Sequence, residues 1–317
     1  MTPATRARLG ILLRLVVVAV LGVGLYYLLR GLELERLGQA LRTARWWPIG
    51  LAALLAFVQL WCKAACWWFL LRDRHGVGMG KLFRYTLTAF AASAIAPMRA
   101  GEVLRVWVLK SRHGVPTSSS AAVAVAEKLL DGLSMAVCVA PLPWLLPGLP
   151  PWVSRTILIV GGVGLGVTVL LVLAAWRFGG QSGRFARFLE AMQVLHRPVP
   201  AFGAFGVLLL GWIVDLAEVW LVLYAVGIHL PFAAGMLILL TLNLAIMVPS
   251  TPGQVGALEV GALIALDLMK VPKEAGLAFA LIYHAMQIVP LVVVGLVVDF
   301  RMVLGRTAPP AAPSPPA

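Results

Sequence analysis

Ala96-Pro97-Met98-Arg99-Ala100-Gly101-Glu102 and, far downstream, Pro249-Ser250-Thr251-Pro252-Gly253-Gln254-Val255-Gly256 interrupt apolar runs that would otherwise read as ordinary membrane spans. Residues 85–97 and 102–110 flank the first interruption, and residues 232–248 and 257–269 flank the second. Each flanking run is shorter than the roughly 20 apolar residues a helix needs to cross hydrocarbon. A pair of short helices broken by proline and glycine reads as a re-entrant hairpin. Irregular backbone at membrane depth is tolerated only where protein or a water-filled cavity surrounds it.

The remaining runs are long. Residues 9–29, 47–71, 117–146, 153–176, 202–226 and 274–300 each read as a full span. The chain has 317 residues, 61% of them hydrophobic and 12% charged, against about 25% charged in a soluble domain. Such a chain cannot cover itself with polar surface, so lipid is its solvent. The runs are unbroken and too long for the alternating strands of a barrel. The expected fold is an all-α polytopic membrane protein: about six full spans and two broken-helix hairpins, in one transmembrane domain over 1–306. Residues 307–317, nearly all proline and alanine, read as a disordered tail. Residues 30–45 read as a polar loop, and 177–200 as an interfacial amphipathic helix. Trp46, Trp47 and Pro48 open a span and read as an aromatic belt.

The net charge of +13 does not suggest nucleic acid. The basic residues sit mainly between apolar runs, where they set topology and meet anionic headgroups. Arg6 and Arg8 before the run at 9–29 could mimic a signal peptide, but no small-residue cleavage site follows, and a retained span is expected. Cys62, Cys66 and Cys138 lie in apolar stretches and read as buried hydrophobes. His75, His113, His196, His229 and His284 are scattered, with no metal motif and no Walker loop, so no metal and no cofactor is expected. Gly161-Gly162-Val163-Gly164-Leu165-Gly166 lies inside an apolar span, where close helix packing explains it better than a nucleotide.

The two interruptions match each other. Pro97 precedes Glu102; Pro249 and Pro252 precede Glu259. A Val-Pro pair, Val115-Pro116 or Val271-Pro272, follows each glutamate by 14 or 13 residues. A polar residue stands 25 positions past each glutamate: Glu127 and His284. About 40 residues before each, by count along the sequence, a span carries polar groups: Gln59 and Lys63, then Asp215 and Glu218. The expected repeats cover 47–146 and 200–300. Basic loops at 72–84, 110–114 and 177–200 belong inside by the positive-inside rule. Both termini are then cytoplasmic, the hairpins enter from opposite faces, and the repeats are inverted. The loop at 30–45, with four arginines, would lie outside, against that rule. Inverted repeats with paired broken helices are a transporter signature, with the substrate between half-helix ends near the midplane. The positive N-termini of those half-helices favour anions.

The stretch from Pro97 to Glu102 with Arg105, then Glu127 and Asp131, then Pro249 through Gly256 and Glu259, resembles the flippase-like transmembrane family named for the membrane half of lysylphosphatidylglycerol synthases. The resemblance covers about residues 10–300. It implies transbilayer movement of a modified phospholipid or lipid-linked intermediate. The soluble aminoacyl-transferase domain of two-part synthases is absent from this sequence, so lipid aminoacylation does not carry over. Gln254 stands where glycine is common in the family.

An ionisable residue at mid-span costs roughly 2.5–3.5 kcal/mol on insertion scales. Glu127, Lys128 and Asp131 would together cost on the order of 7–10 kcal/mol, and about 17 apolar neighbours return only around 7. That span needs the rest of the bundle. Glu127 and Asp131 share a face, as do Asp215 and Glu218. Each pair reads either as a cavity wall or proton relay, or as a structural ion pair, with Lys63 or Arg99 as candidate partners for the first. His284 reads as functional or merely hydrogen-bonded; Glu102 and Glu259 as functional or as first-turn charges; Arg99 and Arg105 as phosphate ligands or interfacial anchors. Trp61, Trp67 and Trp68 read as packing residues. Pro97, Gly101, Pro249, Pro252, Gly253 and Gly256 would form the turns or hinges. The leading expectation is a lipid translocase in the cell (inner) membrane, acting on anionic headgroups. The alternatives are a membrane-embedded lipid-modifying enzyme using Glu127, Asp131 or His284 as acid or base, and an accessory subunit. Membrane lipids, and a lipid-synthesis enzyme, are the expected partners.

Overall fold

The computed structural model describes residues 33–95, 100–178, 197–247 and 252–303, and it is helical throughout apart from turns. Pro97, Arg99, Pro249, the expected first span, most of 177–200 and the tail lie outside the described residues. The helices are α1 (Leu34–Thr43), α2 (Trp46–His75), α3 (Met79–Ile95), α4 (Ala100–His113), α5 (Thr117–Val139), α6 (Leu142–Leu145), α7 (Pro151–Phe178), α8 (Pro198–Ala225), α9 (Ala233–Ile246), α10 (Ala257–Leu268) and α11 (Lys273–Val303), with a 3-10 turn at Pro252–Gln254.

Among the described residues, four helices are long and apolar enough to cross a membrane: α2, α7, α8 and α11. Helix α5 has 23 residues, about 34 Å at 1.5 Å per residue, and carries the three charges expected to make it dependent on its neighbours. The paired helices are shorter. Helices α3 and α4 have 17 and 14 residues, and α9 and α10 have 14 and 12. At 1.5 Å per residue the four run from about 26 down to about 18 Å, under the ~30 Å of the hydrocarbon.

The first pair folds back on itself. The Gly101 N–H donates to Ser93 Oγ at 3.1 Å, and Arg105 reaches Thr86 further back along α3. A Cβ on Gly101 would collide with the Ala89 carbonyl, so only glycine permits this approach. Gly261 has the same role in the second pair, where a Cβ would meet the Thr241 carbonyl at 2.8 Å.

Helices α2 and α8 pack side by side along their whole length. The Arg45 N–H donates to the Ala225 carbonyl, Trp47 meets Tyr224, Gln59 meets Asp215, Gly211 lies against Cys62, and Gly203 against Phe69. One number rises as the other falls, so the two spans are antiparallel. Apolar packing gathers in two regions. One surrounds Trp67, Leu82 and Leu109 near the first hairpin; the other surrounds Leu237, Leu266 and Phe279 near the second. Buried polar side chains from the middles of α2, α5, α8 and α11 lie between them.

Several expectations are corrected. Residues 30–45 are not all loop. Leu34, Leu37 and Leu41 follow a helical stripe, and α1 lies along α11, where the Glu33 N–H donates to Glu274. The loop at 72–84 shrinks to three residues, because α2 runs to His75 and α3 starts at Met79. The span expected over 117–146 stops at Val139, as Pro141 cannot continue the backbone ladder and a one-turn helix follows. On α7, a Cβ on Gly161 would meet Ala136, whereas one on Gly162, Gly164 or Gly166 would meet nothing within 4 Å among the described residues.

Candidate functional site

Among the described residues, each buried charge in the first half of the bundle has a partner on another helix. Glu127 on α5 is 1% exposed and accepts from Arg105 Nη2 on α4 and from Trp67 Nε1 on α2, both at 2.6 Å. The Arg105 guanidinium also lies 3.8 Å from the centroid of the Trp67 ring, a cation–π arrangement. One turn on, Asp131 takes Lys63 Nζ at 2.7 and 2.8 Å, and Trp212 Nε1 at 3.1 Å. At the half-exposed edge, Lys128 pairs with Glu102 at 3.1 Å. The acidic pair Glu127 and Asp131 thus shares a face but is divided between two cations. Removing one partner of such a buried pair costs roughly 3–5 kcal/mol.

Asp215 and Glu218 on α8 have no cation within salt-bridge distance among the described residues. Asp215 accepts from Gln59 Nε2 at 3.5 Å. Glu218 is fully buried; one oxygen accepts from Gln287 Nε2 at 2.8 Å, and the other has no hydrogen-bond partner among the described residues. Gln287 also donates to the Tyr283 hydroxyl at 3.1 Å.

The described part of the second interruption, residues 252–256, is tied down by side chains. Glu259 lies in the first turn of α10, and its Oε2 accepts the Gly256 N–H at 2.7 Å. This is the returning half of a capping box. Its Oε1 meets His284 Nδ1 at 2.5 Å, and His284 Nε2 meets the Gly253 carbonyl at 2.7 Å. Gly253 and Gln254 have φ near +65° and Gly256 has φ +87°. Gly253 also lies against the Ala94 carbonyl at the end of α3 and against Ile288. The second turn therefore packs on the helix that leads into the first.

Of the residues singled out from sequence, the fold brings Arg105, Glu127 and Asp131 into one polar cluster with Lys63. It brings Asp215 and Glu218 to the face of α8 that meets α2 and α11. It brings Glu259, His284, Gly253 and Gly256 into a third group, beside Pro252. Glu102 sits apart with Lys128, and Gly101 serves the hairpin crossing. The side chains missed from sequence are Trp67, Trp212, Thr86, Tyr283 and Gln287. One signal existed: Trp67 is one helical turn from Lys63 and so shares its face.

Several short helices and long apolar spans, with α2 and α8 packed antiparallel and a buried polar layer, define a multi-pass helical membrane protein. The chain belongs to the family of the lysylphosphatidylglycerol synthase TM region, whose model matches residues 11–295. It is also similar to a UPF0104 membrane protein of Methanothermobacter thermautotrophicus, 24% identical over 257 residues, covering 71% of this chain and 75% of the relative.

Proposed function

We propose that this chain is a lipid translocase of the cell membrane, passing an anionic or modified headgroup between leaflets while the acyl tails stay in lipid. The observation that carries the reading is the polar layer between two apolar regions, where Gln59, Lys63, Asp131, Asp215, Glu218 and Gln287 meet at mid-helix. Ionisable groups at that depth are costly and mark pathways for polar cargo. The family match supports a lipid role.

The two halves carry corresponding ties, which supports an inverted repeat. In the first, Arg105–Glu127 joins the second half-helix to the following span, and Lys63–Asp131 joins the first span to the last. In the second, Glu259–His284 and Glu218–Gln287 join the corresponding elements, though the landmark counterpart of Glu259 is Glu102, which pairs with Lys128. With the basic loops inside, both termini are cytoplasmic and the hairpins enter from opposite faces. At the N-terminus of α10, Glu259 already accepts the Gly256 N–H, so a phosphate approaching that dipole would displace the chain's own carboxylate; the second half is thus held in a closed arrangement.

The test is reconstitution of the purified chain into phosphatidylcholine–phosphatidylglycerol vesicles carrying a trace of headgroup-fluorescent lipid. An impermeant reductant bleaches the outer leaflet. The expected result is that label in the inner leaflet becomes accessible with protein present, with the lipid's mass unchanged. Continued protection of that label around folded protein would overturn the reading, and a mass change would make the chain an enzyme.

A further inference from the structure

We propose that Glu259 and His284 form a proton-binding site that latches the turn from Gly253 to Gly256 onto α11. The inference follows from counting donors. The Gly253 carbonyl can only accept, so His284 Nε2, 2.7 Å away, must carry a hydrogen. The Gly256 N–H already donates to Glu259 Oε2. Between Glu259 Oε1 and His284 Nδ1, at 2.5 Å, a proton must then lie. Without it a carboxylate oxygen would face a bare nitrogen lone pair, two acceptors with nothing between them. The pair therefore holds one proton beyond a carboxylate and a neutral imidazole. It is either imidazolium with carboxylate, or neutral imidazole with carboxylic acid.

That proton decides whether the turn is tied down. With it, Gly253 and Gly256 are held to α11 through one continuous chain of hydrogen bonds. When it leaves, the acceptors repel, and the turn loses its link between α10 and α11. The turn also packs on the Ala94 carbonyl of α3, so its release loosens the contact between the two hairpins. Both side chains are nearly buried, at 10% and 8% exposure, while the neighbouring Val255 is 59% exposed. Movement at the turn can therefore be read from its surface.

No other titratable side chain competes for this proton at contact distance among the described residues. On α8, Asp215 and Glu218 approach α11 through Tyr283 and Gln287, which flank His284 in sequence and carry its neighbours' contacts rather than its own. On α2, Lys63 is held by Asp131. On α3, Arg84 binds Asp299 near the far end of α11, with Lys81 and Tyr85 in the same part of that helix. Glu35, Arg36 and Arg42 on α1, with Lys273 and Glu274, lie toward the start of α11, and Asp267 at the end of α10. Coupling of this proton to lipid movement rests on the translocase reading; the proton site does not.

The experiment places a pH-insensitive, environment-sensitive fluorophore on Val255→Cys in the purified full chain, in detergent without added lipid, and records emission against pH. The expected result is one step with a one-proton slope: latched at low pH, released as pH rises. Glu259→Gln supplies the discriminating variant. Its amide N–H donates to Nδ1 and its oxygen accepts from Gly256, so the latch closes with no shared proton. The step is expected to vanish, with emission fixed at the low-pH value. His284→Ala is expected to fix it at the high-pH value. Absence of a step in the parent, or an unchanged step in Glu259→Gln, would overturn the proposal, and the glutamine variant decides alone if the alanine variant fails to fold. A step without lipid movement in vesicles removes the translocase reading and leaves the proton site; lipid movement without a step does the reverse.

Discussion

At the scale of single residues, the buried acids were legible and their partners were not. Glu127, Asp131, Asp215, Glu218 and Glu259 stand out as charges inside apolar runs. Helical periodicity places them on faces of their own helices but does not say which helix faces them. Asp131 and Lys63 are 68 positions apart, Glu127 and Arg105 only 22, and nothing in the spacing ranks one pairing above another. Burial shows what the Arg105–Glu127 pair does for stability. Arg105→Met strands Glu127 and should cost roughly 3–5 kcal/mol, read as a lower melting temperature in detergent. The double variant Arg105→Met with Glu127→Leu should recover part of that loss: apolar replacement of a buried pair is often neutral, but Trp67 Nε1 is left without its acceptor, at roughly 1–3 kcal/mol. A double variant that melts normally but no longer moves lipid would assign the pair to transport. Gln254 poses a separate case. Its φ of +64° lies where an L residue loses roughly 1–2 kcal/mol. Gln254→Gly should raise the melting temperature slightly, because the strain relieved exceeds the added unfolded-state entropy of up to about 1 kcal/mol. Gln254→Val should lower it.

At the scale of elements, proline and glycine marked the interruptions because each breaks a helix for a local reason. Proline lacks the N–H, and glycine reaches positive φ. Local chemistry also shows why α1 reads as loop in the sequence. Its leucine stripe is interleaved with five charged or polar positions in ten residues, and the stripe gains its value only against α11. The crossing of α3 and α4 depends on Gly101, where a Cβ would strike the Ala89 backbone and nothing flexible can yield. Gly101→Val should therefore destabilise the hairpin by more than the roughly 1–3 kcal/mol typical of overpacking. Gly78→Ala, in open space with ordinary φ, should change little. Paired melting curves, with size-exclusion profiles to report assembly, check both.

At the scale of the molecule, the sequence carried the membrane class in its composition and the paired interruptions in their landmarks. It could not carry the way the halves meet, which depends on contacts between α2 and α8 more than 130 positions apart. Those contacts run antiparallel, as two halves inserted in opposite senses require. Exposed aromatics agree: Trp46, Trp47, Trp144, Trp152 and Tyr224 gather where α2 and α7 begin and α5 and α8 end, the place of an interfacial belt. The inverted arrangement of the two hairpins is the claim on which the translocation reading stands. It is tested most directly by single cysteines at the hairpin entrances, Gly78→Cys before α3 and His229→Cys before α9, both exposed, labelled in intact cells with an impermeant maleimide before and after permeabilisation. Inverted halves predict that position 229 labels from outside and position 78 only after permeabilisation; labelling of both positions from the same side would contradict the inverted repeat.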